Sequence, residues 1–113
     1  MAAARDGAIL GGMLAHELMT RRPLTGTPQM TIRRALTLLR RGRFRHLPVL
    51  RDGYLWGVLS DRDLQRAVAA GKSEDDPVAD LVRTPAITAA PDTPVEELAR
   101  LMQDNKIGCV PIV

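Results

Sequence analysis

The feature of this 113-residue chain that most constrains its fold is an internal repeat. Residues 18–50 align without gaps over residues 81–113, at a shift of 63 positions. Leucines and prolines recur at equivalent places, as in the pairs Leu18 and Leu81, Pro28 and Pro91, and Pro48 and Pro111. A duplicated stretch of this length predicts two copies of one supersecondary unit.

A helix is predicted in each copy from the spacing of apolar residues. They fall at i, i+3, i+4 and i+7, which places them on one helical face. They are Ile32, Ala35, Leu36 and Leu39 in the first copy, and Val95, Leu98, Ala99 and Met102 in the second.

The ends of these helices carry local signals. Thr93 is predicted to cap the second-copy helix, with Pro94 at its first position and Glu96 completing a capping box. In the first copy Thr31 is expected to cap one residue later than the repeat implies, and Gly42 to end the helix.

Short β-rich runs follow both helices, FRHLPVL in the first copy and IGCVPIV in the second. In the first copy a tight turn at RDG leads into another run, YLWGVLS, which predicts a hairpin. A further helix is expected from Asp61 to about residue 70, closed by Gly71. The repeating unit is therefore strand, helix, strand, strand, helix.

The second copy stops at Val113, the counterpart of Leu50. It is expected to lack its last strand and helix, which leaves an apolar strand at 110–113 without a hairpin neighbour. We therefore expect a mixed α+β fold of tandem βαββα repeats with the second repeat truncated. The expected organisation is a flexible leader at 1–12, a first repeat at 13–71, a linker at 72–77 and an incomplete second repeat at 78–113.

Composition argues against an enzyme. The sequence has two histidines and one cysteine, and no ligand set has the spacing of a metal site. Asp61 and Asp63 lie two apart at a helix start and point in different directions, which does not suit an acid–base pair. The single cysteine, Cys109, is typical of a reducing cytoplasm. No apolar run approaches the roughly 20 residues of a membrane span.

Positive charge is concentrated in the first half of the chain. Residues 1–66 hold twelve Lys/Arg and five Asp/Glu, whereas residues 67–113 hold four and eight. Six arginines fall between positions 33 and 45, and such a basic helix can bind nucleic acid. A solvated helix face is the interpretation that we favour, because no aromatic residues for base stacking are interleaved.

The segment GVLSDRDL, residues 57–64, lies where a strand is predicted to meet a helix. Ser60 and Asp63 have the spacing of a capping box, and carboxylates here favour the positive end of the helix dipole. The same arrangement forms an anion site, since free backbone N–H groups face outward from a helix N-terminus. A carboxylate beside such a site can accept hydrogen bonds from a ribose diol. Local pattern leaves both roles open.

The segments LMT, TPQMTIRRALTLL, HLPVL and GVLSDRDL follow one another in this order, and the pattern then starts again. In this the chain resembles a pair of CBS domains (a Bateman module), and it is similar to the acetoin-utilisation-protein group of small bacterial CBS proteins over about residues 13–113. The resemblance implies two βαββα units packed sheet to sheet about a pseudo-two-fold axis, with clefts between them. Such modules are sensors of AMP, ATP or other adenosine derivatives, require no cofactor, and commonly dimerise.

The family motif G-h-h-[ST]-x-x-D fits Gly57, Ser60 and Asp63. The resemblance implies that Asp63 holds the ribose hydroxyls, that Ser60 contacts phosphate or ribose, and that Arg62 lies near phosphate. It also implies that the facing wall of this cleft comes from the second repeat, namely from Ile87, Thr88, Gly108 and Cys109. The basic phosphate contacts that the family often has near Pro111 are absent here.

A second cleft is implied as the mirror image of the first. Leu24 and Thr25 would face adenine there, while Arg45 and His46 would face phosphate. Its Ser/Thr and Asp partners are expected beyond Val113.

The expected function is a regulatory module that binds an adenine nucleotide and forms a homodimer, without a membrane or nucleic-acid partner. Two alternatives stay open on the sequence. One is a dimerisation module with empty clefts, and the other is a nucleic-acid-binding protein that uses its arginine-rich helix.

Overall fold

The structure is a computed structural model that describes residues 2–5, 20–21 and 24–113. Its strands are β1 (Ala2–Arg5), β2 (Thr20–Arg21), β3 (His46–Arg51), β4 (Tyr54–Ser60) and β5 (Cys109–Ile112). Its helices are α1 (Ile32–Gly42), α2 (Asp61–Ala69) and α3 (Val95–Asn105), with a 3-10 helix at Ala79–Leu81. The chain forms two compact units: one is Leu24–Pro85, and the other joins the described residues before 24 to Ala86–Val113. Helices combined with antiparallel strands confirm the mixed α+β prediction.

In the unit Leu24–Pro85, β3 and β4 form the predicted antiparallel hairpin. Gly26 adds a parallel bridge to Val49 of β3, and Arg83 adds an antiparallel bridge to Val58 of β4. Helices α1 and α2 cover the hairpin and bury an aliphatic core with it, formed by Ile32, Ala35, Leu39, Leu47, Val49, Leu59, Leu64 and Val78. Each large aliphatic side chain buried in this way contributes roughly 1.5–3 kcal/mol to folding.

The segment predicted to be a linker packs on the start of α1. The backbone N–H of Ile32 donates to Asp76 O at 3.0 Å, and the N–H of Val78 donates to Met30 O at 2.9 Å. Val78, the first residue after this segment, is fully buried in the core. The segment thus satisfies an N–H group that a helix N-terminus leaves without an intrahelical partner.

In the other unit, the strands β2, β1 and β5 form an antiparallel sheet in that order. Helix α3 packs on β5, where Leu98, Met102, Val110 and Ile112 form a second buried cluster. The apolar positions that the sequence assigns to one face of α3 therefore do face a core.

The expectation that the strand at 110–113 has no neighbour is wrong. Residues Ala2–Arg5, assigned from the sequence to a flexible leader, pair antiparallel with Cys109–Ile112. Ala3 faces Pro111 in this pairing as Val58 faces Pro48 in the first repeat. Strand β1 thus occupies, beside β5, the position that β4 occupies beside β3.

The repeat is visible in individual hydrogen bonds. The N–H of Gly26 donates to Pro48 O at 2.9 Å, and the N–H of Ala89, 63 positions later, donates to Pro111 O at 3.0 Å. The N–H groups of Leu50 and Val113 donate to Gly26 O and Ala89 O, both at 2.9 Å. Identical bonds at a constant shift confirm that the same local structure is built twice.

The predicted helix ends are right in the first repeat and wrong at one position in the second. Thr31 caps α1, accepting from the N–H of Arg34 at 3.1 Å, and Gly42 is the last residue of that helix. In α3, Pro94 takes the cap position without a side-chain hydrogen bond. Thr93 cannot cap because its hydroxyl accepts from the N–H of Ala90 at 3.0 Å, which closes the preceding turn.

Candidate functional site

The candidate site is built at the junction of β4 and α2. Ser60 has an extended backbone and caps the helix, and its hydroxyl accepts a hydrogen bond from the N–H of Asp63 at 3.1 Å. The next N–H, that of Asp61, donates to Arg45 O at 2.8 Å. The capping role predicted for Ser60 is therefore confirmed.

The Asp63 carboxylate is engaged by an arginine. Nε of Arg83 donates to Oδ2 of Asp63 at 2.9 Å, and Nη2 donates to Oδ1 at 3.3 Å. The Asp63 side chain is only 17% exposed, whereas that of Arg83 is 60% exposed. A two-point arginine–carboxylate contact of this kind fixes both the position and the orientation of the carboxylate.

These surroundings favour the ionised form of Asp63. The hydrogen bonds from Arg83 lower the pKa of Asp63 below its ordinary value of 3.8, although partial burial acts in the opposite direction. The hydroxyl of Ser60 and the charges of Arg83 and Arg66 lower the pKa further. Asp63 therefore presents a charged acceptor at neutral pH.

Gly57 explains how Arg83 reaches this site. A Cβ at Gly57 would meet the backbone oxygen of Arg83 and the side chains of Val82 and Thr84. Arg83 and Val58 exchange two backbone hydrogen bonds, each at 3.0 Å. The motif glycine thus allows the segment that carries Arg83 to lie directly against β4.

The remaining predicted residues of this unit lie at two places. His46 pairs with Ser60 across the hairpin, Arg45 bonds the start of α2, and Arg62 is exposed on the first turn of that helix. Leu24 and Thr25 are exposed and precede the bridge of Gly26 to Val49. The backbones of Arg45 and His46 therefore lie beside Ser60, the cap of α2.

The residues implied for the facing wall belong to the other unit. Ile87 and Gly108 are half-buried, Thr88 is exposed and Cys109 is buried in β5. They are placed within their own unit by the bond of Ala89 to Pro111 and by the pairing of β5 with β1.

Sequence reasoning missed Arg83. The residue is 20 positions from Asp63, and no periodicity links an exposed arginine after a 3-10 helix to a helix start. The available signal was the repeat: Arg83 is the counterpart of Thr20, so a cation replaces a neutral residue at this position.

The arginine-rich helix is partly neutralised by its own unit. Arg33 pairs with Asp75 and lies 3.7 Å from Glu74, both in the segment that packs on the start of α1. Arg40 and Arg41 are exposed on the last turn. Acidic residues beside Arg33 favour the solvated face over a nucleic-acid surface.

Other site types find no support in the part of the chain that is described. Over residues 2–5, 20–21 and 24–113, no three His, Cys, Asp or Glu side chains are grouped so as to hold a metal ion. Over the same ranges, no helix combines the length and apolar character needed to cross a membrane.

Comparison with known proteins identifies the family. The CBS domain profile matches residues 15–70 and 78–113, and the chain belongs to the CBS-domain family. The CBS domain-containing protein YhcV of Bacillus subtilis is 32% identical over 98 residues, which span 86% of this chain and 70% of YhcV. Four longer curated relatives, all named as enzymes, match as well, and the chain spans 17% to 22% of their lengths.

Solved structures agree with this assignment. The CBS domain pair of protein MJ0100, in complex with 5′-methylthioadenosine and S-adenosyl-L-methionine, has a TM-score of 0.81 at 27% identity, covering 89% of this chain and 83% of that one. A putative acetoin utilization protein (AcuB) from Vibrio cholerae scores 0.76 at 31% identity, covering 92% and 78%. The CBS domain protein PAE2072 from Pyrobaculum aerophilum, complexed with AMP, scores 0.77 at 28% identity, covering 84% and 74%.

Proposed function

We propose that this chain is a regulatory sensor, not an enzyme, and that it binds an adenosine-containing nucleotide such as AMP, ADP or ATP at Asp63. The observation that carries the proposal is an ionised carboxylate held at the N-terminus of α2, next to the capping hydroxyl of Ser60. A ribose diol supplies two O–H donors for such a carboxylate, and the helix terminus favours an anion beside it.

The solved relatives support an adenosine ligand. MJ0100 holds 5′-methylthioadenosine and S-adenosyl-L-methionine, and PAE2072 holds AMP. These three molecules share the adenosine group and differ in what the 5′ carbon carries. The shared group is therefore the part of the ligand that we assign to Asp63 and Ser60, with Arg62 near a phosphate.

The other wall of this cleft is proposed from the second repeat. Ile87 and Thr88 would contact the base, and Gly108 and Cys109 would let it approach closely because they are small. In the second cleft, Leu24 and Thr25 would contact the base, and Arg45 and His46 would face the phosphate of the ligand.

We infer that the second cleft binds its ligand more weakly than the first. Arg5 pairs with Cys109 as Ser60 pairs with His46, so β1 ends in arginine where β4 ends in the capping serine. Within the described residues, the capping hydroxyl of the first site is therefore replaced by an arginine in this register.

Titration calorimetry with AMP, ATP, NADH and S-adenosylmethionine tests the proposed site. Asp63→Ala should weaken adenosine-nucleotide binding by about 1.5–3 kcal/mol, the range for a hydrogen bond to a charged group. Ser60→Ala should weaken nucleotide binding by a smaller amount. Asp61→Ala is the matched control, since its carboxylate accepts instead from Gln65 Nε2 at 2.9 Å.

Melting curves must accompany these affinities, because the Ser60 hydroxyl also caps α2. Equal nucleotide affinity in the wild type and in a folded Asp63→Ala protein would contradict the assignment of Asp63 to the ribose.

We further propose a homodimer in a reducing cytoplasm. The family commonly dimerises, and the single cysteine is buried in β5, which suits a compartment without disulfides. An exposed edge of β5 is not part of this argument, because β1 covers that edge.

A further inference from the structure

The candidate ligand residue already has a partner within its own unit. Both oxygens of the Asp63 carboxylate accept from Arg83, one from Nε and the other from Nη2. A vicinal diol that donates one O–H to each carboxylate oxygen approaches the same edge of the carboxylate as this guanidinium fork. The diol and the guanidinium therefore compete for one edge.

The backbone of Arg83 is held in place, whereas its side chain is largely exposed. Reciprocal bonds to Val58 hold the backbone against β4, and the close approach at Gly57 leaves it no space to shift toward the strand. The side chain is 60% exposed, so the guanidinium can leave Asp63 without disturbing a core. Asp63 cannot leave as easily, since its side chain is 17% exposed and its N–H is bound to Ser60.

We propose that Arg83 competes with the ligand for Asp63, which we call its guard role. We also propose that Arg83 makes the site prefer a charged ligand. In the unliganded chain the guanidinium of Arg83 is hydrogen-bonded to the Asp63 carboxylate. A ligand must displace the guanidinium before its ribose can bind Asp63. The displaced guanidinium then binds the ligand's phosphate, so the site selects a nucleotide over the uncharged nucleoside. The inference rests on the proposed function, because it needs Asp63 to be the residue that binds ribose.

Charge balance explains the preference. The pair of Asp63 and Arg83 is neutral overall. When a nucleoside binds Asp63, the guanidinium loses its charged partner and is hydrogen-bonded only by water. A phosphate close to the ribose replaces the carboxylate as the partner of Arg83 with a hydrogen bond of the same charge-assisted kind. The nucleotide thus recovers an interaction that the nucleoside loses.

The test compares AMP with adenosine by titration calorimetry on the full chain. Wild type should bind AMP more tightly than adenosine. Arg83→Gln should bind adenosine roughly tenfold more tightly than wild type does, because the competitor is gone. Its AMP affinity should change less, because the loss of the competitor and the loss of the phosphate contact offset each other. The ratio of the two dissociation constants should therefore shift by roughly tenfold or more, the size expected for one charge-assisted hydrogen bond.

Arg66→Gln is the matched control. It removes a positive charge near the same carboxylate, but Arg66 lies on α2 and affects Asp63 only through its charge. The ratio should change little in this variant. Arg83→Lys keeps the charge and loses the fork, so it should keep most of the AMP preference while binding both ligands more tightly.

The outcomes separate this inference from the proposed function. A folded Arg83→Gln protein that binds AMP with the wild-type ratio overturns the guard role and leaves the nucleotide site intact. Adenosine binding by Arg83→Gln but not by wild type supports the guard role directly. If neither protein binds AMP or adenosine, both proposals fail. Should Arg83→Gln not fold, Arg83→Lys decides, and unchanged affinities in that variant contradict the guard role.

Discussion

The guanidinium of Arg83 donates two hydrogen bonds to the carboxylate of Asp63, at 2.9 Å and 3.3 Å. Asp63 lies in the first turn of α2, and Arg83 follows the 3-10 helix Ala79–Leu81. The pair therefore ties a helix start to a distant segment. It also places a cation on the one carboxylate that the family motif assigns to the ligand.

Acid should remove the stability that this pair supplies. Because the folded-state pKa of Asp63 lies below its ordinary value of 3.8, the contribution is present above pH 3.8 and is lost as the pH falls through the folded-state pKa. Arg83→Gln should lower the free energy of unfolding by about 0.5–1 kcal/mol at neutral pH, since Arg83 is largely exposed. Urea unfolding of both proteins over a pH series measures this difference, which should vanish well below pH 3.8. A difference that stays constant into strong acid contradicts the prediction.

Gly57→Ala should destabilise the fold through a backbone clash. The added Cβ meets Arg83 O, and backbone cannot move aside as a flexible side chain can, so a loss of about 1–3 kcal/mol is expected. Because the clash displaces Arg83, Gly57→Ala and Arg83→Gln should be non-additive in a double-mutant cycle. Gly53→Ala is the control: it has a φ of +81 with no atom near its Cβ, so its cost should add independently to that of Arg83→Gln. Additivity in both cycles would refute the coupling.

Deletion of residues 1–5 should expose one edge of β5. The Pro111 carbonyl and the Val113 N–H bond Ala89, so strand alternation turns the N–H groups of Val110 and Ile112 toward β1. Amide hydrogen exchange should therefore accelerate at Val110 and Ile112. Val113 is the internal control and should keep its protection. Equal protection of all three amides in the deleted chain would show that β1 does not cover this edge.

The proposed dimer should depend on apolar residues of α1 and α3 that lie outside the cores. Leu38 and Leu101 occupy equivalent positions in the two repeats and are half-buried. Light scattering at micromolar concentration should give a dimer mass, and Leu38→Glu with Leu101→Glu should reduce it to a monomer mass. Tyr54→Glu, which changes a residue that is 79% exposed on the hairpin, should leave the mass unchanged. A monomer mass for the wild type overturns the dimer.

The exposed arginines of α1 should matter little for either folding or nucleotide binding. Arg33→Gln combined with Arg40→Gln should change the free energy of unfolding by about half a kcal/mol or less, because exposed ion pairs contribute little. Nucleotide affinity should stay at the wild-type value. Retention on duplex DNA tests the alternative that the arginine-rich helix binds nucleic acid. Binding that falls steeply with salt and disappears in this variant would favour that function.

The sequence by itself determined the repeated local structure. Helix faces follow from apolar spacing, and this spacing alone predicts that Ile32, Leu39, Leu98 and Met102 face a core, as they do. Caps depend on neighbours within a few positions, and Thr31 and Ser60 were therefore predictable. The same reasoning failed at Thr93, whose hydroxyl had a second local partner in Ala90.

Tertiary structure decided the pairings between segments distant in sequence. Strand β1 pairs with β5 across more than a hundred positions. The pairing uses backbone hydrogen-bonding groups, which are common to nearly all residues, so no side-chain pattern predicts it. The contact of Arg83 with Asp63 depends on how closely residues 82–84 approach Gly57, and only the packed chain fixes that distance. Local sequence sets which elements form, whereas long-range packing sets which side chains meet at the site.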